Sequence, residues 1–458
     1  MAMREAPFET LRRPEPMSLA GRRVLVLGMG DSGLSAARWV QAQGGITRAA
    51  DTRSAPPRAR DYAGELRTGE FDAVLLDDIE LVCISPGLAL EQPLVRDAIA
   101  RDLPVVGDIE LFAWHVHATQ PAAKIAAITG TNGKTTVTAL TGHLLRSAGL
   151  DCEVAGNIGP PALEALAARR TPPEAWVLEL SSYQLETTWS LAPDAAVLLN
   201  LSEDHLDRYA GIAQYAAAKA RVFLGAGARV VNRAEAVPGE GASSFGLDAP
   251  PREEDFGVVS SGGRQWLAQG GTRILPVDEL PIAGAHNAAN ALAALALCSA
   301  LGVAPVSLEK GLRSFRGLPH RLEHVAARRG VDWYDDSKGT NVGAAVAAMR
   351  GLGRRVVLIA GGDGKGQDFA PLAQAACSHA RRVLLIGRDA PLIAEAMQAS
   401  GVQVERCGSL EQAVSRAAAI AKQGDGVLLS PACASFDMFR DYRHRGEVFA
   451  AAVRALED

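Results

Sequence analysis

The stretch "AKIAAITGTNGKTTVTALTGHLLRSAG", residues 123–149, passes from an apolar strand through a glycine turn into an amphipathic helix. That order is the unit from which nucleotide-binding parallel sheets are built. The turn departs from the common phosphate-loop pattern, because Ile128 stands where the first glycine is expected. Its working parts remain. Gly130 and Gly133 permit a tight turn of inward-facing N–H groups. Lys134 offers a point charge to β- and γ-phosphates, and Thr135 can place its hydroxyl on Mg²⁺. The alternative, a plain turn that contains a lysine, leaves this combination unexplained.

A second unit of the same kind lies upstream, in "RRVLVLGMGDSGLSAARWVQAQGG", residues 22–45. Here "GMGDSG" (Gly28 to Gly33) fits the dinucleotide fingerprint, and Asp51 follows at the end of the next predicted strand, "ITRAAD". Taken alone this loop suggests NAD. Other diphosphates, UDP-sugars among them, and a ligand-free turn remain open. Asp31 inside the loop is expected to point outward or to cap the helix.

Strand-like runs alternate with helical ones around these two units, which predicts an α/β protein with parallel sheets. The pattern starts three times. The first block adds "DAVLLDD", "LVCISPG" and "LPVVGD" as short strands, and the second adds "AWVLELSS", "AAVLLNLS" and "ARVVN". Residues 250–275 suggest a small β-hairpin, and a long alanine-rich helix runs from Asn287 to about Leu301. The third block has strands at "VDWYDDS", "RRVVLIAGG", "RRVLLIG" and "GVLLSPA", with helices near 341–350, 369–378, 391–400, 410–423 and 443–456. The expected division is a loose N-terminal tail (1–20), then 21–120, 121–317 and 318–458, with ligand crevices at the C-terminal ends of the strands.

With 458 residues the chain is too long for one core. A net charge of −5 argues against a general nucleic-acid or membrane-surface binder. No apolar run reaches the ~18 residues of a membrane span. The N-terminus has no stretch of signal-peptide type. Six cysteines, none at metal-ligand spacing, fit free thiols in a reducing cytoplasm.

Candidate chemistry gathers where strands end. Glu179 closes "WVLEL", where a buried carboxylate needs a metal or a basic partner. "NLSEDHLDRY" follows another strand and brings Asn200, His205 and Asp207, although a histidine there could simply cap a helix. Lys219 reads, on its own residues, as a solvated lysine. Asn287 and Asn290 share a helix face and suit hydrogen bonding to a base, or an ordinary polar helix start. In the third block, Asp336, Lys338, Thr340, Lys365 and Ser435 would suit an anionic small molecule, with solvated loops as the alternative.

Together "GTNGKTT", "ELSSYQLE", "NLSEDHLDRY", "HNAANALAA", "LPHR", "DDSKGTN", "GGDGKGQDF" and "LLSPACASFDMF" resemble, in the expected order, the Mur ligase family of ATP-dependent amide-forming enzymes. The resemblance spans about residues 20 to 456. The motifs of the last block are similar to those of the members that add D-glutamate. The resemblance implies a Rossmann-like UDP-binding domain, a central P-loop-type ATP-binding domain and a C-terminal Rossmann-like domain. It implies cytoplasmic synthesis of a peptidoglycan precursor, serving the cell wall, cell shape and division, by a monomer acting on UDP-N-acetylmuramoyl-L-alanine and D-glutamate.

Residue roles follow from the same resemblance. The UDP group falls to Asp31, Ser32, Asp51, Thr52, Arg53 and the turn at Gly87, in place of NAD. ATP falls to Gly130, Thr131, Asn132, Gly133, Lys134, Thr135 and Thr136, with Asn287, Asn290, Arg321 and Asp336 near the adenosine and the hinge. Asn157 and His205 lie on the path of the muramoyl-alanine end. Two Mg²⁺ ions are implied, one at Thr135 and Glu179, the other at His205 and Lys219, the lysine then carrying a carbamate. D-Glutamate falls to Lys338, Thr340, Lys365, Ser435, Phe436 and Tyr442. Two positions depart from the family pattern. Tyr442 stands where phenylalanine is frequent, and Gly339 replaces an alanine, which is expected to loosen the loop between Lys338 and Thr340. An NAD oxidoreductase, a nucleotide-controlled binding protein and a folate polyglutamate ligase are the competing readings.

Overall fold

The computed structural model describes residues 8, 11–202, 204, 208–235 and 243–456. Three sheets follow one another along the chain. The first contains β1 (Arg23–Leu27), β2 (Ile46–Asp51), β3 (Glu65–Thr68), β4 (Leu81–Ile84) and β5 (Val105–Val106), ordered β3-β2-β1-β4-β5 and parallel throughout. The second contains β6 (Lys124–Thr129), β7 (Cys152–Gly156), β8 (Ala175–Glu179), β9 (Ala195–Leu198), β10 (Ala228–Asn232), β11 (Ser243–Phe245), β12 (Phe256–Ser261), β13 (Arg264–Gln269) and β14 (Thr272–Pro276). Its order is β14-β13-β12-β11-β10-β9-β6-β8-β7. The predicted hairpin is the antiparallel β12-β13-β14 run that extends this sheet.

The third sheet contains β15 (Glu323–Arg328), β16 (Val331–Asp335), β17 (Val356–Gly361), β18 (Ala380–Ile386), β19 (Val404–Arg406) and β20 (Gly426–Leu429), ordered β15-β16-β20-β17-β18-β19. Only β15 runs antiparallel to its neighbour.

The inner strands read as continuous apolar runs because helices cover both faces of a parallel sheet. Val24 to Leu27 and Val356 to Ala360 are fully buried, each large side chain contributing about 1.5–3 kcal/mol relative to exposure. Helix Ala285–Ala300 is apolar on every side from Ala291 to Cys298, where it is fully buried; it packs with helix Lys134–Ser147 in the central core. In the first two sheets the chain reverses direction beside β1 and beside β6, so each glycine loop emerges at a switch point, where ligand crevices form.

Three expectations change. "DAVLLDD" contains no strand. Ala73–Leu76 form a 3₁₀ turn, started by the Asp72 carboxylate accepting the Val74 N–H at 3.1 Å. The edge strand of that sheet is instead the polar β3, "ELRT". The tail is not loose throughout, since Phe8 and Leu11 are buried. Nor is the loop at Gly339 slack. Gly339 N–H donates to Asp336 O, Thr340 N–H to Lys338 O and Ala432 N–H to Gly339 O, all within 2.9 Å. A Cβ at 339 would lie 2.6 Å from both Asp336 Oδ2 and Ser430 Oγ, so glycine lets these groups close on one another. All six cysteines are free thiols, and Cys377 alone is exposed.

Candidate active site

Helix Lys134–Ser147 starts at Gly133, which caps it in the left-handed region at φ 84°. A Cβ there would meet Asn290 Oδ1 at 2.6 Å. Glycine is therefore required twice, for its backbone angle and for the approach of Asn290. The loop is fixed from β9. Asn200 accepts the Asn132 N–H through its side chain at 2.8 Å and donates to Asn132 O at 2.9 Å, while Asn200 O accepts the Thr131 N–H at 2.9 Å. Ile128 is the fully buried fifth residue of β6, so the missing glycine belongs to the strand and the loop begins after it.

Lys134 donates to the Gly130 and Thr131 carbonyls at 2.8 and 2.9 Å. Lys219 donates to the same Gly130 carbonyl at 2.8 Å, and its Nζ lies 4.6 Å from the centre of the Tyr215 ring. At 1% exposure Lys219 is not the solvated lysine its own residues suggested. Burial, with Lys134 as a like-charged neighbour, pushes its pKa well below the usual lysine value; Asp204 and Glu179 oppose the shift. Burial lowers Lys134 as well.

Glu179, at the end of β8, is 2% exposed. Its Oε1 accepts from Asn157 Nδ2 at 2.6 Å, whereas Oε2 is buried with no hydrogen-bond partner among the described residues. The carboxylate acts on four cations, Lys134, Lys219, Arg321 and Lys338. A buried carboxylate oxygen without a donor, beside the hydroxyl-bearing Thr135 in the same cavity, has the chemistry of a divalent-cation ligand.

That cavity, about 630 Å³, is lined from all three sheets. The first contributes Pro86 and Gly87. The second contributes the loop 131–135, Asn157, Glu179, Asp204 and Lys219. The third contributes Lys338, Thr340, Lys365 and Tyr442. A second cavity, of about 360 Å³, is lined by Thr136, Asn287, Asn290 and Asp336. Asn132, Gly133, Arg321 and Lys338 border both. The two amides do face alike, with Asn290 Nδ2 donating to Asn287 Oδ1 at 3.1 Å.

In the third sheet's loops, burial raises the Asp336 carboxyl to about 7 despite the Ser430 hydroxyl donating to it at 2.6 Å. Burial, together with the positive Arg321, lowers Lys338 to about 8. Lys338 Nζ sits 4.2 Å from the centre of the Tyr442 ring. Ser435 is buried and Phe436 is 73% exposed; neither is among the residues that line the two cavities.

Near the first glycine loop, Asp51 is 2% exposed. Its carboxylate accepts the Met29 N–H at 2.7 Å and two guanidinium N–H groups of Arg53 at 2.8 and 2.6 Å. Burial would raise its pKa, yet these hydrogen bonds and the Arg53 charge win, holding it at about 2. Both oxygens are thus committed within the protein, leaving the half-exposed Arg53 as the outward group. Asp31 points outward to Arg58 at 2.6 Å. Ser32 is half-buried and Thr52 exposed.

His205 and Asp207 lie outside the described residues. Among the cavity residues that carried no role in the sequence reading, Asp204 and Asn341 matter most. Asp204 sits inside a quoted motif, and its signal was a carboxylate just past a strand end. Asn341 precedes helix Val342–Gly351 and caps it, accepting the Ala344 N–H at 2.8 Å. It also exchanges amide hydrogen bonds with Asn132, at 3.0 and 3.4 Å, tying the third sheet's loops to the phosphate loop.

A glycine phosphate loop, a buried carboxylate with an unused oxygen and a cavity assembled by three α/β sheets define a nucleotide-dependent group-transfer enzyme. Family models agree in detail. The "Mur ligase MurD-like, N-terminal domain" matches residues 22–107, the "Mur ligase middle domain" residues 128–298, and the "Mur ligase, glutamate ligase domain" residues 320–433. The chain belongs to the Mur ligase family, whose members are ATP-dependent amide-bond ligases. It is 54% identical to the UDP-N-acetylmuramoylalanine--D-glutamate ligase of Nitrosospira multiformis over 96% of this chain and 97% of that one. With the enzyme of the same name from Methylobacillus flagellatus the identity is 52%, over 96% and 98%. UDP-N-acetylmuramate-alanine ligase MurC from Thermotoga maritima shares the fold, at a TM-score of 0.60 and 18% identity, covering 95% of this chain and 99% of that one. No helix among the described residues is long and apolar enough to cross a membrane.

Proposed function

We propose that this enzyme joins D-glutamate to UDP-N-acetylmuramoyl-L-alanine at the expense of ATP, in cytoplasmic peptidoglycan precursor synthesis, as a monomer. The supporting observation is the cavity of about 630 Å³ in which the Glu179 charge acts on Lys134, Lys219, Arg321 and Lys338, with walls from all three sheets. The strong identity to relatives named for this reaction supports these substrates.

The muramoyl-alanine carboxylate attacks the γ-phosphorus of ATP and ADP leaves, giving an acyl phosphate. The D-glutamate amine, after losing its proton, attacks the acyl carbon. Phosphate departs from the tetrahedral intermediate and an amide bond remains. The chain's contribution is positioning and charge neutralisation. Lys134 and the loop N–H groups hold the phosphates, while Asn287, Asn290, Arg321 and Asp336 surround the adenosine. Asn157 orients Glu179 and the incoming muramoyl-alanine end.

Lys338, Thr340, Lys365 and Tyr442 hold the D-glutamate carboxylates, with Ser435 and Phe436 joining when the third sheet's loops close. The UDP group rests on Arg53, Asp31, Ser32, Thr52 and Gly87, with Asp51 as the anchor of Arg53. Thr135 and Glu179 would hold one Mg²⁺, whose charge would offset that of the phosphates. His205 and Lys219 would hold a second. For that role Lys219 must add CO₂ to its neutral amine, releasing a proton, and its depressed pKa favours the neutral form.

The deciding assay is phosphate release in the presence of UDP-N-acetylmuramoyl-L-alanine and a panel of amino acids. Stimulation by D-glutamate alone is expected. Stimulation by L-alanine or a diamino acid instead would overturn the substrate assignment.

A further inference from the structure

Phe8 lies before the first matched family region, which begins at residue 22, yet it is buried beside a set of rings that leads to the active site. Phe8 is 4% exposed and belongs to the same buried cluster as Tyr209, Tyr215 and Ala218. It shares a small crevice with Tyr209 and Arg208. The Tyr209 and Tyr215 rings are 5.4 Å apart, and Tyr209 stacks on the cavity-lining Tyr183 at 6.0 Å. The Tyr215 hydroxyl is 3.2 Å from Thr131 Oγ1 in the phosphate loop, and its ring lies under Lys219 Nζ.

A second path leads to the same helix. The Arg221 guanidinium, two residues beyond Lys219, lies 5.7 Å from the Phe8 ring centre and 5.3 Å from that of Trp189. It also donates to the Leu185 and Thr188 carbonyls at 2.7 and 2.8 Å. Helix Ile212–Ala220, which carries Tyr215 and Lys219, thus meets Phe8 through Arg221 just past its C-terminal end, and shares a buried cluster with it through Tyr215.

We infer that Phe8 is a positioning residue for catalysis: it wedges the Tyr209–Tyr215 ladder and Arg221 so that Lys219 and Thr131 hold their places at the phosphate loop. This rests on the reading of Lys219 as part of the catalytic machinery. Displacing a reacting group by about 1 Å can cost on the order of 100-fold in rate. A wedge acting at one remove from Lys219 should therefore cost a fraction of that.

The test is a double-substitution cycle in the full-length enzyme, with melting temperatures measured alongside. Phe8→Ala is expected to lower kcat about tenfold with little change in the KM for D-glutamate, and Phe8→Leu, which keeps the bulk, to stay within about threefold of the parent. In a Lys219→Ala background the Phe8→Ala loss should shrink below about twofold, because coupled sites are not additive. Leu11→Ala, from the same buried cluster, controls for general loosening and should lower the melting temperature without the kcat loss. If Phe8→Ala fails to fold, Phe8→Val, which removes the ring and part of the bulk, carries the same cycle. Unchanged kcat, an equal loss in both backgrounds or an equal loss in Leu11→Ala overturns the inference. Normal turnover in Lys219→Ala alone would instead sink the reading on which it rests.

Discussion

The two glycine loops hold the same place in their sheets and differ in their electrostatics. Each follows a parallel strand at a switch point and opens a helix. The first packs against its own backbone: a Cβ on Gly33 would fall 1.7 Å from Gly28 O. Its one buried carboxylate, Asp51, is neutralised by its neighbour Arg53. At the second, Lys134 and Lys219 share a carbonyl and Glu179 keeps an oxygen unused. One loop is complete as folded, and the other gathers buried ionisable groups of both signs around it. Backbone shape announces a diphosphate or triphosphate site. The buried charges around it decide whether the site only holds phosphate or also transfers it.

The sharpest way to break this contrast is Lys134→Ala, which should lower kcat by at least about 10³-fold. Steady-state phosphate release measures it, and near-normal turnover would leave the second loop no different from the first. Glu179→Gln comes next, with an expected loss on the order of 10²–10³ in kcat and a weakened dependence on added Mg²⁺, followed by titrating the metal.

The pH dependence around Lys338 is smaller. Its ammonium is charged below about 8 and neutral above. The kcat/KM for D-glutamate, relative to a Lys338→Arg enzyme that stays charged, should therefore fall about tenfold per pH unit above that point. A flat ratio between pH 7 and 10 would remove Lys338 from the amino-acid pocket.

The least costly change touches the first loop. Asp51→Asn should raise the KM for the UDP-sugar and destabilise the fold by about 1–2 kcal/mol at neutral pH, leaving the KM for ATP unaltered. The Asp51 pKa is depressed, so its contribution is complete above the unfolded value near 4 and is lost between about 4 and 2. Urea denaturation at pH 7 and at pH 2 would show the difference disappearing.

Much of this was legible in the sequence, for physical reasons. Inner strands announce themselves because both faces are apolar, as in "RRVVLIAGG". Edge strands do not: β3 is mostly exposed and β15 is largely polar, so neither stood out. "DAVLLDD" misled because Leu75 and Leu76 are buried while Val74 is 63% exposed, a pattern that a 3₁₀ turn also satisfies. Lys219 was misread on its own residues because only the fold shows what surrounds a lysine among alanines. Asn341 was hidden by its ordinary duty as a helix cap, and its exchange with Asn132, 209 residues away, exists only in three dimensions.

The wall common to the two cavities also matters for ligand design. Asn132, Gly133, Arg321 and Lys338 border both chambers, so these four residues are all that the two linings have between them. A single compound linking a purine-like group in one to a dicarboxylate in the other through a short spacer would bind its second half at an effective concentration in the millimolar range without any new contact.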